Sequence, residues 1–173
     1  MKTIIAVIGV ALFYVTPLHA EGKDTNYWGA QYALVTYDEK GIDEFEPTAL
    51  VFRLGRFITD NISVEGRLGF GLQDDDVDIG AINAEVEVDK LYGFYGVFHT
   101  SGSDDTNVYG VLGFTKGELE ATVLGETFEG DDSGLSYGIG ANFRGFNIEY
   151  MSYLDEDDYD VTAISLGYRR MFD

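Results

Sequence analysis

Polar and apolar residues alternate with a period of two over much of the chain. Leu50, Phe52 and Leu54 alternate with Val51, Arg53 and Gly55; after Thr59-Asp60-Asn61, Ile62, Val64, Leu68 and Phe70 alternate with Ser63, Glu65, Arg67, Gly69 and Gly71. Successive side chains of a strand point to opposite faces, so two such runs joined by a short polar turn predict a β-hairpin. The same rule predicts strands at about 27–37, 48–58, 62–72, 90–98, 107–120, 134–143, 146–154 and 161–172. Tyr92, Phe94 and Tyr95 place aromatics on both parities of 90–98, which leaves the faces of that strand unassigned. Arg144-Gly145 suits a two-residue primed turn. No helix-period stretch of useful length follows residue 20, and 123–128 fits neither pattern.

The connections fall into two classes. Thr59-Asp60-Asn61, His99 to Thr106 and Arg144-Gly145 are short, whereas 38–47, 73–89, 121–133 and 155–160 read as long loops that carry most of the 31 Asp and Glu. Nothing in a soluble barrel requires its two ends to differ in this way. A membrane barrel has short turns on one side and long loops on the other.

The less apolar face points in the same direction. In water it would carry many Lys and Glu, yet its charges on strands two, three, six, seven and eight are Arg53, Glu65, Arg67, Glu149 and Arg169, set among Gly and Ser. Eight strands enclose an interior just wide enough for side chains to fill, so the prediction is a narrow polar lumen with the apolar face turned to lipid. The soluble alternative is a lipid-binding barrel with its apolar face inside.

A three-residue turn pairing Ile58 with Ile62 sets Arg53 opposite Arg67, with Glu65 on the same face. Like charges in that position repel unless a carboxylate bridges them. The turn at 144–145 sets Asn142 opposite Asn147 and is expected to bring Glu149 near Arg169. The expected lumenal network is therefore Arg53, Glu65, Arg67, Asn142, Asn147, Glu149 and Arg169. Trp28, Phe57, Phe98, Phe143, Phe146 and Phe172 near the short turns, with Tyr37, Phe70 and Tyr153 toward the other end, are expected to form interface girdles.

Composition adds an address and narrows the chemistry. Lys2 precedes an apolar run from Ile4 to Leu18 that is too short for a typical spanning helix and ends in Leu18-His19-Ala20. It reads as a cleavable secretory signal peptide over 1–20, leaving 21–173 as a single barrel domain. With no cysteine, neither a disulfide nor a lipidated thiol can form. A formal net charge of −20 excludes nucleic-acid binding by the overall field. The chain is also too rich in Gly, Tyr and Phe, and too poor in Pro, for a disordered one.

His99, beside Ser101, Ser103 and Asp104, is expected in a solvated turn, with no catalytic role. Asp74, Asp75, Asp76 and Asp78, and separately Asp155, Glu156, Asp157 and Asp158, offer oxygens that suit loosely held calcium or magnesium, but both clusters lack the Gly and terminal Glu of a calcium loop. No other cofactor is expected.

Together these residues resemble the small eight-stranded outer-membrane barrels (the transmembrane domain of OmpA, OmpX and Ail) and the wider porin-like outer-membrane β-barrel family. Arg53-Leu54-Gly55, Glu65-Gly66-Arg67-Leu68-Gly69, Tyr109-Gly110-Val111-Leu112-Gly113 and the last strand, Ile164 to Phe172, carry the resemblance. It implies an all-β, eight-stranded antiparallel up-and-down transmembrane β-barrel behind a signal peptide. Such a barrel is a monomer in the bacterial outer membrane with both termini periplasmic. Tyr168 and Phe172 resemble the family's assembly signal, although here Asp173 follows the terminal aromatic. Implied partners are the barrel-assembly machinery, periplasmic chaperones, membrane lipid and lipopolysaccharide. The resemblance implies no enzyme, and leaves a structural or surface-interaction barrel with a filled lumen beside a narrow OmpW-like channel for small or apolar solutes.

Overall fold

The computed structural model describes residues 23–39, 47–73, 75–79, 82–100, 106–123, 126–155 and 159–172. The expected leader over 1–20 lies outside them. The strands are β1 (Asn26–Glu39), β2 (Thr48–Phe57), β3 (Ile62–Gln73), β4 (Asp75–Ile79), β5 (Ile82–His99), β6 (Thr106–Val123), β7 (Glu126–Phe143), β8 (Phe146–Asp155) and β9 (Tyr159–Phe172). They form one antiparallel sheet ordered β3-β2-β1-β9-β8-β7-β6-β5-β4, closed by pairing of β3 with β5. Because β3 and β4 both pair with β5, they are two segments of one stave, and the barrel has eight staves. Closure pairs each stave on both sides around the apolar band, which is what lets a sheet cross lipid, while among the described residues β4 and the far part of β7 pair on one side only. Asn26 lies opposite Phe172, so β1 begins and β9 ends at the rim that carries the short turns.

Local chemistry makes those turns and, through them, the register. Thr59 Oγ1 accepts from the backbone N of Ile62 at 3.0 Å and of Asn61 at 3.3 Å, while Ile58 N donates to Ile62 O at 2.9 Å. Arg144 (φ 51°) and Gly145 (φ 84°) are both left-handed, as a primed hairpin turn requires. The first turn sets Arg53 opposite Arg67, and the second sets Asn142 opposite Asn147. A slip of one residue would exchange the two faces, so these turns decide what the lumen contains.

The two faces are unlike. Leu54, Phe114 and Phe146 are more than 60% exposed on the outside, whereas Arg67 and Glu149 are at most 2% exposed within. On β5, Tyr92, Phe94 and Phe98 face out and Leu91, Tyr95 and Val97 face in, which resolves the strand that sequence left open. The outward apolar band on β7 runs from Leu135 to Phe143. That is close to the roughly 9–11 residues a tilted strand needs to cross a bilayer.

The stretches 73–89 and 121–133, expected as acidic loops, are largely strand. β5 starts at Ile82 with β4 folded on it, and β6 and β7 remain paired as far as Val123 opposite Glu126. Charge disguised a regular alternation here: Ala84, Val86 and Val88 against Asn83, Glu85 and Glu87, then Leu119, Ala121 and Val123 against Glu118, Glu120 and Thr122. Residues 123 and 126–128 are thus ladder positions at the tip of a hairpin, while 124 and 125 lie outside the described residues. β5, β6 and β7, of 18 residues each, project well past the apolar band at the end opposite the short turns.

The girdle also needs correcting. Trp28, Phe98, Phe143, Phe146, Phe172 and Phe70 are exposed on the outer face, but Phe57 and Tyr153 are buried in the lumen and Tyr37 stacks on Tyr159 at 5.6 Å. Phe57 shares the parity of Arg53 and Gly55 and so points inward. Tyr153 shares the parity of Glu149 and Met151 and so points inward too.

Candidate functional site

Alternation on every stave sends half of its side chains into the lumen, and they sort by height. At mid-height, two arginines and two carboxylates converge. Arg67, on β3, donates from Nε to Glu65 Oε1 at 2.6 Å and reaches across the barrel to Glu149 on β8, with Nη1 2.5 Å from Oε1 and Nη2 3.0 Å from Oε2. Arg53 Nη1 lies 3.6 Å from Glu149 Oε2 and 4.0 Å from Glu65 Oε2. Two cations and two anions are charge-balanced, which a buried cluster must be. The two-forked Arg67–Glu149 contact has the geometry that makes arginine–carboxylate pairs strong.

Neutral donors complete the layer. Tyr109 Oη donates to Glu149 Oε2 at 2.9 Å and accepts from Asn147 Nδ2 at 3.2 Å, and Gln31 Nε2 donates to Glu149 Oε1 at 3.3 Å. The Arg67 guanidinium sits 4.7 Å from the centre of the Tyr95 ring, whose hydroxyl continues through Thr115 to Ser136.

Nearer the short turns lies a second, aromatic layer. The Tyr27 hydroxyl is 2.9 Å from Ser63 Oγ, which is 3.0 Å from His99 Nε2, and the Phe57 and His99 rings are 4.7 Å apart. His99, expected in a solvated turn, is the last residue of β5 and is buried at 8% exposure. Its inward parity puts the imidazole among Phe57, Tyr109, Ser63 and Asn107.

The expected network is therefore brought together in part. Arg53, Glu65, Arg67 and Glu149 share one cluster, and Asn147 joins it through Tyr109. Asn142 sits lower and donates to Asn107 Oδ1 at 2.9 Å. Arg169 is not where the sequence put it: Glu149 lies opposite Ser165, and Arg169 lies beside Gly145 with its guanidinium 5.2 Å from the Tyr27 ring. Asp75, Asp76 and Asp78 are ladder positions of β4 opposite Val86, Glu85 and Asn83, not members of a loop, and Asp155 ends β8 opposite Asp160. Asp74, Glu156, Asp157 and Asp158 lie outside the described residues. Tyr168 and Phe172 are exposed on the outer wall, Tyr168 meeting Phe146 edge-on at 5.7 Å.

Sequence reasoning missed Tyr27, Gln31, Tyr95 and Tyr109, though a signal for them exists. Tyr27 lies opposite Gly55, Tyr95 opposite Gly113 and Tyr109 opposite Gly140. A Cβ at any of these glycines would collide with the facing tyrosine. Each of these three inward rings is thus matched to an inward residue with no side chain.

Beyond the apolar band, Lys116 Nζ meets Asp131 Oδ2 at 2.8 Å. Hydrogen bonding to Asp131 raises the lysine pKa, and the same contact lowers that of the aspartate.

The family described as outer membrane protein beta-barrel domain matches residues 5–172. Among solved structures, the chain is similar to Ail, the attachment invasion locus protein of Yersinia pestis, at a TM-score of 0.61 and 20% identity over 86% of this chain and 99% of that one. Neisserial surface protein A is similar at a TM-score of 0.61 and 11% identity, covering 85% and 97% of the two chains. OprG of Pseudomonas aeruginosa is similar at 0.60 and 12%, covering 89% and 99%. Ail has also been solved in complex with the heparin analogue sucrose octasulfate. At these identities the likeness is one of fold. No curated protein matches the chain.

Proposed function

Since the chain belongs to the outer membrane protein beta-barrel domain family, we propose that it is a closed, monomeric barrel of the bacterial outer membrane that anchors its long hairpins at the cell surface. In this reading the short turns and both termini of the chain face the periplasm, and the β4–β5 and β6–β7 hairpins face outward. The outer wall of β9, with Tyr168 and Phe172, is what the assembly machinery meets.

The observation that carries the reading is the Arg67 bridge between Glu65 and Glu149, which spans the lumen from β3 to β8 and is packed about by Arg53, Gln31, Tyr95 and Tyr109. A conducting pore needs a continuous water column, and this layer occupies the lumen at mid-height. His99 belongs to the aromatic layer below it and serves packing, not catalysis. The acidic surface argues for neutral or cationic partners, so the polyanion complex known for Ail is not expected to carry over.

Reconstitution into planar lipid bilayers tests the proposal. The expected record shows no stepwise single-channel conductance, whereas reproducible ohmic steps would favour the narrow-channel alternative.

A further inference from the structure

Above the charged layer the lumen changes character. Ala33, Val35, Ala49, Val51, Leu91 and Leu154 line a cavity of about 240 Å³ toward the rim that carries the long hairpins. At mid-height the lumen is filled by Arg, Gln and Tyr; here small apolar side chains leave room. Two glycines in the cavity wall, Gly117 and Gly130, would place a Cβ with nothing within 4 Å. Tyr153 is also part of the wall, and its hydroxyl is buried with no hydrogen-bond partner among the described residues.

Among the described residues, the rim of the cavity is polar and carries a surplus of negative charge. Asp131 and Asp132 reach it from β7, and Tyr37 and Tyr159 stand there with rings stacked at 5.6 Å and 13°. Lys116 balances Asp131. Asp132 has neutral donors, the Tyr159 hydroxyl at Oδ2 and the Ser133 backbone N at 2.6 Å from Oδ1, which leave its charge in place.

We infer that this cup binds an amphiphilic monocation, its apolar body in the cavity and its ammonium at the rim beside Asp132 and the Tyr37–Tyr159 pair. An apolar cavity of about 150 Å³ suffices to hold benzene, so this one has room for a single ring or a chain of about six carbons. Tyrosine faces and an aspartate both attract an ammonium, the rings through their quadrupoles. The net charge of −20 raises the local concentration of cations and repels an anionic analogue. A neutral apolar molecule would gain from burial alone.

The test uses the full protein in lipid nanodiscs and three probes of one chain length: hexyltrimethylammonium, hexanol and hexanesulfonate. Saturation-transfer NMR is expected to show saturable binding of the cation about tenfold tighter than of hexanol, and none of hexanesulfonate. Val51→Trp fills the cup and should abolish the saturable part, while Asp132→Asn should lower the cation to the affinity of hexanol. Should Val51→Trp fail to show the folded barrel's gel mobility, Ala33→Leu gives a milder filling with the same expected direction. Equal binding of all three probes, or cation binding indifferent to filling of the cup, overturns the inference. Nanodiscs expose both rims, so the result does not depend on which way the barrel faces or whether it conducts.

Discussion

Glu149→Ala is expected to lower the stability of the membrane-inserted barrel by about 3–5 kcal/mol, the range found when one partner of a buried ion pair is removed. Glu149 receives both terminal nitrogens of Arg67, the Tyr109 hydroxyl and Gln31 Nε2, and lies 3.6 Å from Arg53. Its loss leaves two guanidinium groups facing the single carboxylate of Glu65. Arg67→Met in the same background removes the surplus cation and leaves Arg53 with Glu65. The double variant is therefore expected to be more stable than Glu149→Ala alone, since residues of one network do not add independently. Urea unfolding from lipid vesicles measures both. A Glu149→Ala barrel as stable as the parent, or a double variant that loses the sum of the singles, would show that the cluster does not act as a unit.

Leu54→Arg is expected to cost about 1–3 kcal/mol, because arginine on the lipid face costs roughly 2–4 kcal/mol at the bilayer midplane and roughly 0–1 at the interface, and Leu54, opposite Trp28 and one outward position from Arg56, lies between them. Leu54 is 61% exposed on the outer wall, between Trp28 and Gly66 on the adjoining strands. Were that wall in water, an exposed leucine-to-arginine change would have almost no effect. Leu54→Phe keeps the apolar face and should leave stability nearly unchanged. The same vesicle unfolding reads both substitutions, and a tolerated Leu54→Arg would argue for the soluble alternative.

How much of this was legible in sequence depends on range. The 48–72 hairpin was readable to the residue because alternation and a Thr59-Asp60-Asn61 turn are local and fix each other, so Arg53 opposite Arg67 could be named before any coordinates. The partner of Glu149 could not. It sits on β3, across the lumen, and only closure and strand tilt bring Arg67 to it; reasoning by adjacent strands led to Arg169 instead. Carboxylates on alternate positions of 82–89 and 118–122 made strand look like loop, because charge was weighed above period. The inward tyrosines were hidden for a different reason: each is paired with a glycine on the neighbouring strand, and a glycine looks like a gap until register is known. Tyr153 shares the inward parity of Glu149 and Met151, and points to a girdle only when its aromatic type is weighed above its parity, whereas the burial of Leu154 depends on a register irregularity that no pattern in 146–154 announces.

The central claim is that the apolar wall meets lipid while the charges are enclosed, and Trp28 reports on it directly. It is the one tryptophan of the chain, 45% exposed on the outer wall near the short-turn rim. In vesicles of brominated lipid its fluorescence should be strongly quenched, most by bromines near the headgroups, and aqueous acrylamide should quench it little. Ready quenching by acrylamide with no effect of brominated lipid would place that face in water and contradict the account.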